Sequence, residues 1–109
     1  MRKIGIVANT SKPNWLPTAR SVVEFLSGHG VEVAVEPEEA VGPLSSEGTK
    51  PPQRGLMGSD MVLSLGGDGT FLKTVRLIGE RDVPIVGVNL GGLGFLAEFS
   101  AKNFLPAVI

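Results

Sequence analysis

The stretch "MVLSLGGDGTFLK", residues 61–73, decides the fold. Met61 to Leu65 is a short apolar run of the kind that forms a strand buried on both faces. Gly66, Gly67 and Gly69 then surround a single aspartate, Asp68, and Thr70 opens the next segment. Phe71, Leu72, Val75 and Ile78 follow at helical spacing, so the glycines form a turn between a strand and a helix. Working outward, Lys3 to Ala8 ("KIGIVA") predicts another buried strand. Asn14 is a candidate helix N-cap, and Pro17 is tolerable only in a first helical turn. Ala19, Val22, Val23 and Leu26 then recur at i, i+3, i+4 and i+7, ending near Gly28 or Gly30. "VEVAV" (31–35) and "PIVGV" (84–88) complete a set of about four strands. Ser100 marks the start of a last helix through Leu105, interrupted by Pro106. Strands and helices alternate, which predicts an α/β, Rossmann-like three-layer domain with a mainly parallel sheet.

Residues 36–60 differ in character. They contain Pro37, Pro43, Pro51 and Pro52, half of the 8 prolines, with Gly, Ser and Glu between them. No periodicity persists there, so the expectation is a long surface connection with room for one helical turn, either functional or disordered. With 109 residues the chain is expected to form a single domain, 1–109. Its end in an apolar run suggests a fragment of something longer. A composition of 42% hydrophobic and 19% charged residues predicts folding rather than disorder. A net charge of −1 gives no electrostatic reason to expect nucleic acid or an anionic membrane as partner. The absence of cysteine excludes disulfides and thiolate metal sites, and the single His29 excludes a histidine cluster. The apolar run after Met1-Arg2-Lys3 stops at Asn9, too soon for a signal peptide or membrane span, so a cytoplasmic location is the default. On that default the sequon Asn9-Thr10-Ser11 carries no meaning.

Ligands of open α/β sheets bind beyond the carboxyl ends of the strands, where Gly66 to Thr70 falls. Glycines permit close backbone approach and φ above zero, and successive N–H groups at a helix start attract phosphate. Asp68 should repel that phosphate. It therefore needs a cation bridging phosphates, or a hydroxyl on a second substrate. A hydroxyl beside a carboxylate and opposite a phosphate is what phosphoryl transfer requires. The bland alternative is a tight turn built from good turn formers. The glycines flanking Asp68 between a buried strand and a helix favour function over that alternative. No G-x-x-x-x-G-K-[ST] occurs, and the G-x-G-x-x-A at 92–97 has no following strand or acidic residue to complete a dinucleotide fingerprint.

These motifs resemble those of the NAD kinase family. "GGDGT" (66–70) is shared with diacylglycerol and sphingosine kinases and, in variant form, phosphofructokinases. "GVNLGGLGFLAEF" (87–99) is similar to a pattern particular to NAD kinases, and "ANTSKP" (8–13) resembles their bacterial members. The resemblance implies transfer of a phosphoryl group from ATP or polyphosphate to the adenosine ribose 2′-hydroxyl of NAD, with a divalent metal ion such as Mg2+. It makes Asp68 the catalytic carboxylate and Gly66, Gly67, Gly69 and Thr70 the phosphate loop. It places Asp68, Gly69, Lys73, Asn89, Phe95 and Leu96 at NAD, with no metal ligand assigned. It also implies a β-rich C-terminal domain beyond this chain, a homo-oligomer in the full-length protein, and little activity from these residues alone. A lipid or sugar kinase, or a non-catalytic nucleotide-binding module, are the alternative readings.

Bland readings stand beside these. Lys73 is equally a solvated helix residue, and Phe95 and Leu96 equally core. His29 is expected at a helix C-terminus, interacting with the dipole, and Trp15 as a packing anchor or an inter-domain contact. Glu36, Glu38 and Glu39 read as a solvated face, Asp60 and Asp82 as turn or cap residues.

Overall fold

The computed structural model describes residues 2–45 and 52–89. The four strands read from the sequence are present as β1 (Lys3–Ala8), β2 (Glu32–Glu36), β4 (Met61–Gly66) and β5 (Ile85–Asn89), joined by a two-residue β3 (Gln53–Arg54). All pairings are parallel, and the strands lie side by side in the order β3-β2-β1-β4-β5. Helices α1 (Trp15–Gly28) and α3 (Asp68–Ile78) are the crossovers from β1 to β2 and from β4 to β5. Those crossovers move outward from the centre in opposite directions. Two crossovers of the same hand must then place their helices on opposite faces. The core divides accordingly. Ile4, Ile6, Leu63 and Leu65 are buried with Val22, Val23 and Leu26 of α1. Val7, Ala34 and Val62 point the other way and cluster with Ile78 of α3. With both faces covered, β4 is buried at every position, as a central parallel strand should be.

Helix α1 buries Ala19, Val22, Val23 and Leu26, the stripe expected from spacing. Asn14 is its N-cap residue but forms no capping hydrogen bond, and its buried Oδ1 has no partner. At the other end Gly30 takes φ 73°, while Val31 N–H donates to Leu26 O at 3.0 Å. That left-handed glycine ends the helix and turns the chain into β2. His29 Nδ1 lies 2.9 Å from Phe25 O, at the helix C-terminus, and Trp15 packs against the α1-side core.

Helix α3 departs from the sequence reading. Its buried stripe is Thr70, Thr74 and Ile78, while Phe71, Leu72 and Val75 are 37%, 55% and 42% exposed. The reason is close approach of helix to sheet. A Cβ on Gly66 would stand 2.7 Å from Thr70 Cβ, so only a glycine beneath a small threonine fits there. The Thr74 hydroxyl, fully buried, donates to Thr70 O at 2.8 Å and needs no partner from the sheet.

The 36–60 connection carries more structure than expected. A 3-10 turn (Glu38–Ala40) runs into α2 (Val41–Leu44), burying Ala40 and Leu44 against the α1-side core. Arg20 of α1 donates to Pro43 O at 2.9 Å. Further on, β3 pairs with Ala34 and Val35, and Leu56 is buried on the α3 side. A Cβ on Gly5 would come within 2.7 Å of Leu56 Cδ2, so the bare glycine of β1 admits this segment. The last helix from Ser100 and the G-x-G-x-x-A match lie outside the described residues.

Candidate functional site

β1 and β4 are the neighbouring strands from which the two crossovers diverge, and their carboxyl ends bound a crevice. The chain leaves β1 with Asn9 N–H donating to Leu65 O at 2.9 Å. Asn9 Oδ1 accepts from Ser11 N–H at 3.1 Å and from the Ser11 hydroxyl at 2.6 Å, an Asx turn that swings Thr10 and Lys12 outward. The result is a cleft of about 550 Å³ lined by three loops. Asn9, Thr10 and Lys12 come from the end of β1, and Pro37 and Glu39 from the end of β2. Gly67, Asp68, Gly69, Thr70 and Lys73 come from the end of β4 and the start of α3.

Of the two properties glycine offers here, close backbone approach and φ above zero, the three loop glycines do not use the second, since none has a positive φ. Gly66 serves packing under Thr70. Gly67 and Gly69 serve neither need, because a Cβ at either would meet nothing within 4 Å. Their bareness leaves the backbone open to the cleft. The first hydrogen bond of α3 runs from Phe71 N–H to Gly67 O at 3.0 Å, and no side chain caps the helix. The N–H groups of Asp68, Gly69 and Thr70 therefore lack an intrahelical acceptor, which suits an incoming phosphate.

Asp68 is the first residue of α3 and is exposed; its carboxylate has no hydrogen bond or ion pair among the described residues. Lys12 and Lys73 share its cleft, so two ammonium groups accompany two carboxylates, Asp68 and Glu39. No group of three histidine, aspartate or glutamate side chains suited to a metal ion occurs among the described residues. Two carboxylates beside a phosphate site suit a magnesium ion whose remaining ligands are phosphate and water, rather than an all-protein cage.

A second hollow of about 390 Å³ opens between β4, β5 and α3. Ser64, Gly66, Phe71, Gly87 and Val88 line it, and Gly67 and Asp68 stand at the edge it shares with the larger cleft. Asn89 lies opposite Gly66 at the carboxyl end of β5. Of the residues singled out in the sequence, Gly67, Asp68, Gly69, Thr70 and Lys73 are thus brought to one cleft, with Gly66 behind them and Asn89 on the next strand. Phe95 and Leu96 lie outside the described residues. Asn9, Thr10, Lys12, Glu39 and Ser64 were not singled out as site residues. The sequence signal available for the first three was position, since the loop after the first strand meets the glycine loop only once β1 and β4 are neighbours. Glu39, read as part of a solvated face, is exposed and faces the cleft. Among the described residues no helix is long and apolar enough to cross a membrane.

An open parallel sheet with an uncapped helix N-terminus and bare glycines at its switch point defines an α/β domain of the open, parallel class, with a loop whose chemistry suits phosphate. The family is set by comparison: the profile of the ATP-NAD kinase N-terminal domain matches residues 52–108, and the chain belongs to that family. It is 40% identical over 114 residues to the NAD kinase of Citrifermentans bemidjiense, covering 99% of this chain and 38% of that protein. Identity to the NAD kinase of Methanothermobacter thermautotrophicus is 36% over 110 residues, with the same coverage of 99% and 38%. A crystal structure of yeast NADH kinase complexed with NADH superposes with a TM-score of 0.72 at 26% identity, over 95% of this chain and 35% of that one. The chain thus spans well under half the length of these relatives.

Proposed function

We propose that the protein containing this domain is an NAD kinase, transferring the terminal phosphoryl group of ATP or polyphosphate to the adenosine ribose 2′-hydroxyl of NAD. The observation that carries this reading is the position of Asp68, a carboxylate without a partner among the described residues, on the edge shared by two hollows. The larger cleft, with Lys12, Lys73 and the open N–H groups of α3, suits the phosphates of the donor. The smaller, less charged hollow suits the sugar of the acceptor. Asp68 lies between them, where a carboxylate orients or deprotonates the attacking hydroxyl while positive charge neutralises the transferring group. Asp68 and Glu39, the carboxylates of the larger cleft, are the residues that would hold a divalent ion, which would supply further charge neutralisation.

Names of the relatives support the acceptor, and the NADH complex of the yeast enzyme supports binding of the nicotinamide dinucleotide by this architecture. We further propose that these residues form the N-terminal α/β domain of a longer, homo-oligomeric enzyme. The test is NADP formation by the full-length protein supplied with NAD, ATP and magnesium. Asp68→Asn should lower kcat roughly a hundred- to ten-thousand-fold, the usual contribution of a positioned acid or base, with unchanged melting. A fully active Asp68→Asn enzyme would remove Asp68 from the chemistry.

A further inference from the structure

Asn9, partly buried where β1 ends, has every hydrogen-bonding group but one committed within the protein. Its backbone N–H donates to Leu65 O at 2.9 Å, which ties it beside the glycine loop. Its carbonyl oxygen accepts from Lys12 N–H at 3.1 Å. Its Oδ1 accepts from Ser11 N–H at 3.1 Å and from the Ser11 hydroxyl at 2.6 Å. A backbone N–H can only donate, so the side-chain atom facing Ser11 must be the oxygen. The planar amide then turns Nδ2 away from Ser11. That nitrogen is accessible and has no hydrogen-bond partner among the described residues. Asn9 lines the larger cleft together with Lys12, Gly67 and Gly69.

The turn uses only the oxygen, so an aspartate would build it equally well. What asparagine adds is an uncharged amide with two N–H donors. They belong to a cleft that already holds Lys12, Lys73 and the open N–H groups of α3, a set suited to phosphate. We infer that Asn9 binds the phosphoryl donor: its Nδ2 donates to a phosphate oxygen, and the Asx turn holds it in place before the donor arrives. The inference rests on the kinase reading above and adds a neutral ligand to its phosphate site. An aspartate there would keep the loop and turn a negative charge toward the same oxygen.

The experiment compares the full-length wild type with Asn9→Asp and Asn9→Ala, supplying ATP and polyphosphate in turn as donors. Loss of a hydrogen bond to a charged oxygen should raise the donor KM roughly ten- to a hundred-fold in Asn9→Asp. The KM for NAD should not move, and melting should match wild type because the turn survives. Asn9→Ala loses turn and ligand together, so a raised donor KM should come with lowered melting. A wild-type donor KM in Asn9→Asp would reduce Asn9 to a turn former and overturn the inference. An equal rise in the KM for NAD would also overturn it, since the group bound would not be particular to the donor. If Asn9→Asp fails to fold, Asn9→Ser decides, because its hydroxyl can keep the turn but offers no amide to the cleft. It must then show the same donor-only rise. No phosphorylation of NAD by wild type would instead overturn the kinase reading. Asn9 is then judged by calorimetric titration with ATP, where equal affinities of wild type and Asn9→Asp remove its role.

Discussion

A methyl group added at Gly66 would stand 2.7 Å from Thr70 Cβ, whereas one at Gly69 would enter open space in the first turn of α3. The same substitution therefore has opposite consequences three residues apart. Gly66→Ala is expected to destabilise by about 1–3 kcal/mol through overpacking. Gly69→Ala is expected to stabilise by roughly 0.5–1 kcal/mol, since alanine is the better helix former, while weakening phosphate-donor binding. Urea unfolding of both variants, with the KM for ATP measured beside it, checks this pair. Stability changes of equal sign would show that the bare positions serve packing alone. At the same scale, the triplet "GGD" showed that a turn was required, but the division of labour between Gly66 and Gly67 depends on where α3 settles on the sheet.

At the scale of elements, the connection between β2 and β4 shows how few residues suffice to anchor a segment. Ala40 and Leu44 lie four apart, one helical turn, and both are at most 1% exposed. Surrounded by Pro, Gly, Ser and Glu, two apolar residues generate no periodicity that a reading of the sequence can use. Leu44→Ala should cost about 2–5 kcal/mol, a core-sized penalty, measurable as a lowered urea midpoint. A cost below about 0.5 kcal/mol, the range of surface substitutions, would mean that the segment is not part of the core. Helix α3 carries the converse lesson. Phe71, Leu72, Val75 and Ile78 mark this helix by their spacing, yet of them only Ile78 is buried, and the sheet is otherwise met by Thr70 and Thr74, whose small size allows close approach.

For the molecule as a whole, Asp60 ties the start of β4 to the N-terminus. Its Oδ2 accepts from the N–H groups of Arg2 and Lys3 at 2.8 and 3.0 Å, and its own N–H donates to Lys3 O at 2.8 Å. The two N–H donors hold its carboxyl below the ordinary value of 3.8. The unfolded chain therefore takes up this proton first on acidification. The stability that Asp60 contributes is complete above about pH 4 and is lost as pH falls through the lowered folded value. Asp60→Asn keeps an acceptor oxygen and removes the titration, so its stability should fall less between pH 5 and pH 2 than that of wild type. Parallel acid limbs for the two proteins would show that this carboxylate does not couple the ends of the fold to pH. The expectation of a turn or cap residue was correct in kind, but its partners lie 57 and 58 residues away in sequence.

By itself the sequence determined the α/β class, the positions of β1, α1, β2, β4 and β5, and the glycine loop with Asp68 at its centre. Those features are local: a buried strand needs a short apolar run, α1 a stripe at 3.6-residue spacing, and a strand-to-helix turn its glycines. Tertiary structure alone decided the order β3-β2-β1-β4-β5 and the meeting of the β1 loop with the glycine loop. It also decided the face that α3 turns inward and the anchoring of residues 36–45. Each of these depends on which strands become neighbours and how closely a helix can approach them, and no window along one chain contains both partners of such a contact.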